Sequence, residues 1–166
     1  MDKKTIITTI LIVVGILGLF MILGKNNQEP TKINSGEEST LLVEGESIYD
    51  FGNISMKDGL TEHIFKVTNS GDKDVFLKKI ETSCMCTIAY LESSNGKKGP
   101  FGMAGHGGGS SSANENIKTG DSLDIRVVYD PNAHGPAGVG IIDRFVNLTD
   151  ANGNELQLEI KAVVTP

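Results

Sequence analysis

Residues 122–129 read SLDIRVVY and residues 156–164 read LQLEIKAVV, and these two stretches decide the fold class. Apolar side chains occupy every second position of both stretches: Leu123, Ile125, Val127 and Tyr129 in the first, and Leu156, Leu158, Ile160, Ala162 and Val164 in the second. A period of two over this length is typical of a strand with one buried face. The pattern therefore predicts a β-sheet with one side on a core.

Short runs of the same kind fill the chain from Leu41 onward. Turn clusters such as NSGD and DPN separate them, and no segment after Lys25 shows a helical period. The further strands that these runs predict are 47–54, 61–68, 74–80, 82–90 and 139–148. About seven strands in residues 41–166 predict an all-β fold, an immunoglobulin-like antiparallel β-sandwich.

The N-terminus carries a different signal. Residues 5–23 read TIITTILIVVGILGLFMIL, 19 residues without a charge, which as a helix would span roughly 28 Å, close to the thickness of a bilayer core. Lys3 and Lys4 precede this run, which favours an N-terminus inside and a domain outside the cytoplasmic membrane. The alternative is a cleaved signal peptide, whose apolar core is usually only about 7–15 residues long.

These patterns divide the chain into three parts. We expect a membrane anchor, one transmembrane helix, over residues 1–24 and a polar linker over 25–40. The extracytoplasmic sandwich domain then covers 41–166 and contains a Gly/Ser-rich insertion at 93–113. A loop of that length inside a compact domain is usually functional or disordered.

Composition and motifs exclude several classes of function. The chain has 166 residues and a net charge of −6, which argues against nucleic acid as a partner. Two cysteines are too few for a disulfide scaffold or a four-cysteine zinc site. The sequence contains no nucleophile elbow, phosphate-binding loop or helical metalloprotease motif, so we expect a protein that is not an enzyme.

The residues with the most distinctive chemistry are Cys84 and Cys86, in the run CMC. If this run lies in the predicted strand 82–90, both thiols project to one face and Met85 to the other. Such thiols can reach one metal ion but are poorly placed to form a disulfide with each other, because the small ring would be strained.

Three further residues offer soft or nitrogen ligands. Met103 and His106 lie three apart in the glycine-rich FGMAGHGGG, and His134 lies in a turn between two predicted strands. Thiolate, thioether and imidazole together favour Cu(I), with Zn(II) as the weaker candidate. We expect Cys84, Cys86 and His106 to be the main ligands, and Met103 and His134 to complete the site.

Other interpretations of the same residues remain open. The two cysteines could be small buried apolar side chains, Met103 a loop anchor, and the two histidines turn residues. A cysteine–histidine nucleophile pair has no identifiable third residue to orient it. His63 and Met56 are interpreted as structural residues.

An ordered set of motifs resembles a known bacterial family, the domain-of-unknown-function family 1573. The motifs are YDFGNI at 49–54, EHIFKVTNSG at 62–71, TSCMCT at 82–87, KTGD at 118–121 and VYDP at 128–131. The resemblance covers about residues 47–164 and implies an exported immunoglobulin-like sandwich akin to ASH and MSP-type domains, without a settled activity.

Two departures from the family pattern bear on function. Met85 stands where the family usually has glycine, and the stretch with Met103 and His106 is an insertion. Both departures add soft ligands, which favours copper handling or delivery at the membrane surface, with an envelope protein as partner. The alternatives are a non-catalytic structural or protein-interaction module of the cell envelope, and a thiol redox protein.

The predicted anchor has a direct test. The full chain is expected to sediment with membranes and to stay there after an alkaline carbonate wash, because a spanning apolar helix is not held by surface charge. A chain without residues 2–24 is expected in the soluble fraction. The mass of the mature protein separates the alternatives, since loss of residues 1–24 would identify a cleaved signal peptide.

Overall fold

A computed structural model of the chain describes residues 40–106 and 109–166, which lie in one compact unit, Gly36–Pro166. The predicted anchor and nearly all of the predicted linker lie outside the described residues. In the described part, no helix is both long enough and apolar enough to cross a membrane.

The described residues form ten strands joined by turns and two short 3₁₀ segments. The strands are β1 (Leu41–Val43), β2 (Ile48–Ser55), β3 (Thr61–Asn69), β4 (Val75–Thr82), β5 (Thr87–Ser93), β6 (Gly96–Phe101), β7 (Ser112–Ile117), β8 (Ser122–Tyr129), β9 (Gly140–Asp150) and β10 (Glu155–Thr165). The 3₁₀ segments are Met56–Asp58 and Gly135–Gly138.

The strands form two five-stranded sheets that make a sandwich. One sheet has the order β1-β3-β8-β5-β6, and the other has the order β2-β10-β9-β4-β7. The all-β sandwich predicted from the sequence is confirmed, with one correction to its antiparallel character, because β10 pairs with β2 in parallel. These two strands are neighbours in the sheet but lie about 100 residues apart in the sequence. No short hairpin joins them, so they are free to run in the same direction.

The alternating apolar residues of both sheets meet in the core between them. Val67, Ile125 and Leu91 from the first sheet and Leu77, Leu148 and Ile160 from the second are almost completely buried. Burial of side chains of this size contributes about 1.5–3 kcal/mol each. The two stretches that predicted the fold class, β8 and β10, lie in different sheets and supply part of each inner face.

The chain passes from one sheet to the other at one end of the sandwich several times. The connections β2–β3, β4–β5, β6–β7 and β8–β9 each join strands of different sheets. Thr61 and Thr87 both pair with Tyr129, and Phe101 pairs with Ala89, so these four connections lie at the same end. Every candidate ligand found in the sequence lies at this end.

Two parts of the insertion 93–113 form strands, although its composition predicts a loop. It contains all of β6 and the first residues of β7, so the prediction of one long loop is wrong for these segments. β6 is an edge strand, where Pro100 costs no hydrogen bond to a further strand. The sequence did not predict β7 because Glu115 occupies one of its inward positions and interrupts the apolar alternation.

Glu115 in β7 makes polar contacts with residues of the β5–β6 hairpin in the other sheet. Its side chain is only 3% exposed, although it is charged. Lys98 Nζ lies 2.7 Å from its Oε2, and Ser93 Oγ and Asn95 Nδ2 donate to Oε1 at 2.7 and 2.9 Å. Burial alone raises the pKa of Glu115, but these hydrogen bonds together lower it. Since β6 and β7 are edges of different sheets, this carboxylate links the two sheets.

Substitution Glu115→Gln is expected to lower the free energy of unfolding by about 1–3 kcal/mol, because this buried position loses the charged acceptor of its hydrogen bonds. Urea unfolding followed by circular dichroism measures the loss. The folded-state pKa lies below the usual 4.5, so the advantage of the wild type is complete above that pH and shrinks on further acidification. The matched control is Glu92→Gln, whose exposed ion pairs with Lys97 and Arg126 contribute little. Equal losses in both variants would contradict the linking role of Glu115.

Candidate functional site

The two cysteines lie in a turn, not in the strand predicted over 82–90. β4 ends at Thr82, β5 begins at Thr87, and the backbone N–H of Thr87 donates to the carbonyl of Cys84 at 3.1 Å. This is the hydrogen bond of a β-turn over 84–87. The strand prediction failed here because the chain must leave one sheet and enter the other within these few residues.

Ser83 fixes this turn to the neighbouring strand β9. Its backbone N–H donates to the carbonyl of Phe145 at 2.9 Å, and its Oγ accepts from the N–H of Phe145 at 2.9 Å. Thr82 Oγ1 donates to the carbonyl of Cys84 at 3.1 Å. The turn therefore has a defined position on the sandwich.

The turn brings Cys84 Sγ and Cys86 Sγ to disulfide-bonding distance. The expectation that these thiols are poorly placed to pair is therefore wrong. Two residues along a strand separate Cα atoms by about 6.6 Å, whereas the turn reduces the Cα–Cα distance to 5.3 Å, close to the usual value for disulfides. Met85, at the outside of the turn, is 56% exposed.

His134 completes a cluster with the two sulfurs. Its Nε2 lies 3.1 Å from Cys84 Sγ, and the ligand atoms of Cys84, Cys86 and His134 all lie within 4.8 Å of one another. Asp130 Oδ1 accepts from the N–H of Asn132 at 2.8 Å, and Asn132 Nδ2 donates to the carbonyl of Met56 at 2.7 Å. These bonds hold the β8–β9 connection that carries the histidine.

Arg144 also belongs to this site, although the sequence analysis did not identify it as a candidate residue. Its Nε donates to Cys86 Sγ at 3.2 Å, and its Nη1 donates to the carbonyl of Asp143 at 2.8 Å. Arg144 occupies the inward register of β9, between the buried Ile142 and Val146. The sequence could have indicated this residue, because a cation at a core-facing position of an alternating strand needs a specific partner.

The two sulfurs have different surroundings. Cys86 is 2% exposed and its Sγ lies 3.7 Å from the hydroxyl of buried Thr87. Cys84 is only partly buried and faces the exposed His134. Tyr129 is buried and pairs with Thr87, the residue after Cys86. Burial raises the pKa of its phenol, Arg144 opposes this rise and Asp130 adds to it. The site thus has one enclosed sulfur next to a cation and one accessible sulfur next to an imidazole.

The structure does not bring His106 into the cluster, although the sequence favoured it over His134. Among the described residues, the group of clustered cysteine, histidine and acidic side chains contains His134 and not His106. Met103 is half-buried and lies on the same end of the sandwich, since the carbonyl of its neighbour Gly102 accepts from the N–H of Thr82 at 3.2 Å.

His63 and Met56 have the structural surroundings that we expected. The His63 ring stacks on Tyr49 with 3.6 Å between centroids and meets Phe65 edge-on at 4.7 Å. Burial lowers the pKa of His63. Met56 packs against the core.

Several solved structures are similar to this chain. A protein of unknown function from Porphyromonas gingivalis W83 is similar with a TM-score of 0.54 and 14% identity, over 81% of this chain and 51% of that one. This chain therefore spans about half the length of that protein. The ASH/PapD-like domain 7 of human CEP192 aligns with a TM-score of 0.45 and 10% identity, over 81% of this chain and 91% of that domain. The Vibrio cholerae protease VesB aligns with a TM-score of 0.49 and 13% identity, over 75% of this chain and 32% of that chain.

Comparison of sequences finds a family match over part of the chain. No curated protein matches the chain at a significant level. Residues 28–102 match the family model described as "Protein of unknown function (DUF1573)", a segment that includes the motifs at 49–54, 62–71 and 82–87. The predicted resemblance to the DUF1573 family is thereby confirmed over residues 28–102 of this chain.

Proposed function

We propose that the domain in its reduced form binds one soft metal ion, Cu(I), through Cys84 Sγ, Cys86 Sγ and His134 Nε2. The observation that carries the proposal is the convergence of these three atoms within 4.8 Å of one another. With metal–ligand bonds of about 2.0–2.3 Å, ligands around one ion are separated by roughly 3.5–4 Å. Reduction of the sulfur pair and small side-chain rotations are enough to reach that arrangement.

The donor set favours Cu(I) over Zn(II). Two thiolates and one imidazole are soft to borderline ligands, which suit Cu(I). Structural zinc sites take four protein ligands, and the group in the described residues contains no fourth cysteine, histidine or carboxylate. The thioether of Met103, on the neighbouring β6–β7 connection, is the candidate for an additional soft ligand.

The position of the site suits transfer of an ion more than its permanent storage. His134 is exposed and Cys84 is partly exposed, so a partner's ligands can approach the metal from solvent. Together with the anchor that we propose for residues 1–24, this exposure supports a role in copper handling or delivery on the extracytoplasmic side of the cytoplasmic membrane, with an envelope protein as recipient.

The test is a Cu(I) titration of the reduced full chain in detergent micelles against bicinchoninic acid, without oxygen. We expect one ion per chain, and no specific binding in the Cys84→Ser/Cys86→Ser variant. His134→Asn is expected to weaken binding by at least about tenfold, because loss of a ligand costs no less than loss of a residue that only orients one. Competition with Zn(II) is expected to leave Cu(I) bound.

His106→Asn is the matched control, because it removes an exposed imidazole at the same end of the sandwich but outside the cluster. Its affinity should equal that of the wild type. Equal weakening by both histidine variants, or binding that survives in the double serine variant, would contradict the proposed ligand set. Absence of Cu(I) binding in the reduced wild type would favour an interaction module without a metal.

A further inference from the structure

We propose that the Cys84–Cys86 pair has a second, metal-independent activity, thiol–disulfide exchange, in which the domain oxidises a dithiol of a partner protein. The activity does not rest on copper binding, although both use the same sulfurs. Three observations carry it: the sulfurs are paired, their exposure differs, and a cationic side chain donates to the buried one.

The exposure of the sulfurs decides which one is attacked. An incoming thiolate must approach along the S–S axis, and Cys86 is closed to solvent while Cys84 is partly open. The exposed thioether of Met85 gives the partner chain an apolar contact beside the disulfide. The partner therefore bonds to Cys84, and Cys86 is the leaving sulfur.

Arg144 assists the departure of Cys86. The hydrogen bond from Arg144 Nε to Cys86 Sγ is weak while the sulfur is neutral and becomes charge-assisted when a thiolate forms. At the other sulfur, the backbone N–H of Cys86 donates to Cys84 Sγ at 3.4 Å, and His134 Nε2 lies 3.1 Å away. Arg144 and the backbone N–H of Cys86 stabilise the reduced form over the disulfide, and so does the tautomer of His134 that carries the proton on Nε2. A stabilised reduced form makes a disulfide an oxidant.

The exchange balances without any further reagent. The first partner thiolate bonds to Cys84 Sγ, the Cys84–Cys86 bond breaks, and Cys86 leaves with the electron pair. The second partner thiolate then attacks the partner's own sulfur in the mixed disulfide, and Cys84 leaves as a thiolate. The partner loses two electrons and two protons and gains a disulfide, while the domain gains both and becomes a dithiol.

The first experiment measures the equilibrium of the oxidised full chain, in detergent and with a copper chelator present, against reduced and oxidised glutathione. Alkylation and intact mass give the fraction reduced. We expect Arg144→Met to shift the equilibrium constant toward the disulfide by about tenfold, because the reduced form loses a charged hydrogen bond. Arg144→Lys, which keeps the cation, is expected to recover part of the shift.

Arg126→Met is the matched control, because it removes the same charge from the outer part of the other sheet, where Arg126 pairs with Glu62 and Glu92. Its equilibrium constant should stay at the wild-type value. Thermal unfolding of each variant confirms that the domain remains folded. An equal shift in both arginine variants, or no shift in either, would overturn the role of Arg144.

The second experiment separates the two sulfurs. With oxidised glutathione, Cys86→Ser leaves an accessible Cys84 that forms the mixed disulfide, and Cys84→Ser leaves the enclosed Cys86, which is expected to react at least about tenfold more slowly. Wild-type disulfide should also oxidise a reduced synthetic peptide that contains two cysteines. Equal reactivity of the single cysteines, or a disulfide inert to reduced glutathione and the peptide in the folded chain, refutes the exchange activity. Neither result depends on whether the reduced domain binds Cu(I).

Discussion

The chain crosses between two stacked sheets at one end of the sandwich, and this crossing sets the geometry of the cysteine turn and of the segments beside it. Thr82 ends a strand of one sheet and Thr87 begins a strand of the other, so the four residues between them must turn sharply. This turn brings the two sulfurs together and excludes the extended geometry that would keep them apart. The β8–β9 connection makes the same crossing at the same end, and it carries His134 to Cys84.

The same few groups serve both kinds of chemistry proposed for the site. A metal ion and a leaving thiolate both require that negative charge on sulfur be stabilised. Arg144 and the backbone N–H of Cys86 supply fixed donors to the sulfurs, and His134 supplies a nitrogen that serves as a ligand or a proton partner. Metal binding and disulfide formation exclude each other at one time, because both consume the two thiolates.

How much of the fold the sequence predicted depends on the kind of residue that faces the core. β8 and β10 have apolar side chains at every inward position, and β9 has them at Ile142, Val146 and Leu148. The predicted ranges of these three strands agree with the structure to within two residues. β6 and β7 were missed because glycine, proline and a buried glutamate replace that pattern. Glu115 is tolerated inside only because Lys98, Ser93 and Asn95 converge on it from the β5–β6 hairpin, which local sequence does not show.

Local alternation and motifs along the chain were enough to predict the β class and the DUF1573 resemblance, and to select the CMC run as the candidate site. The tertiary structure decided that the cysteines pair, that His134 and not His106 lies beside them, and that Arg144 contacts Cys86. These relations join residues about 50 or more positions apart, or depend on a turn imposed by crossing between sheets. Spacing along the chain carries no information about such contacts, because sheet pairing and packing set them.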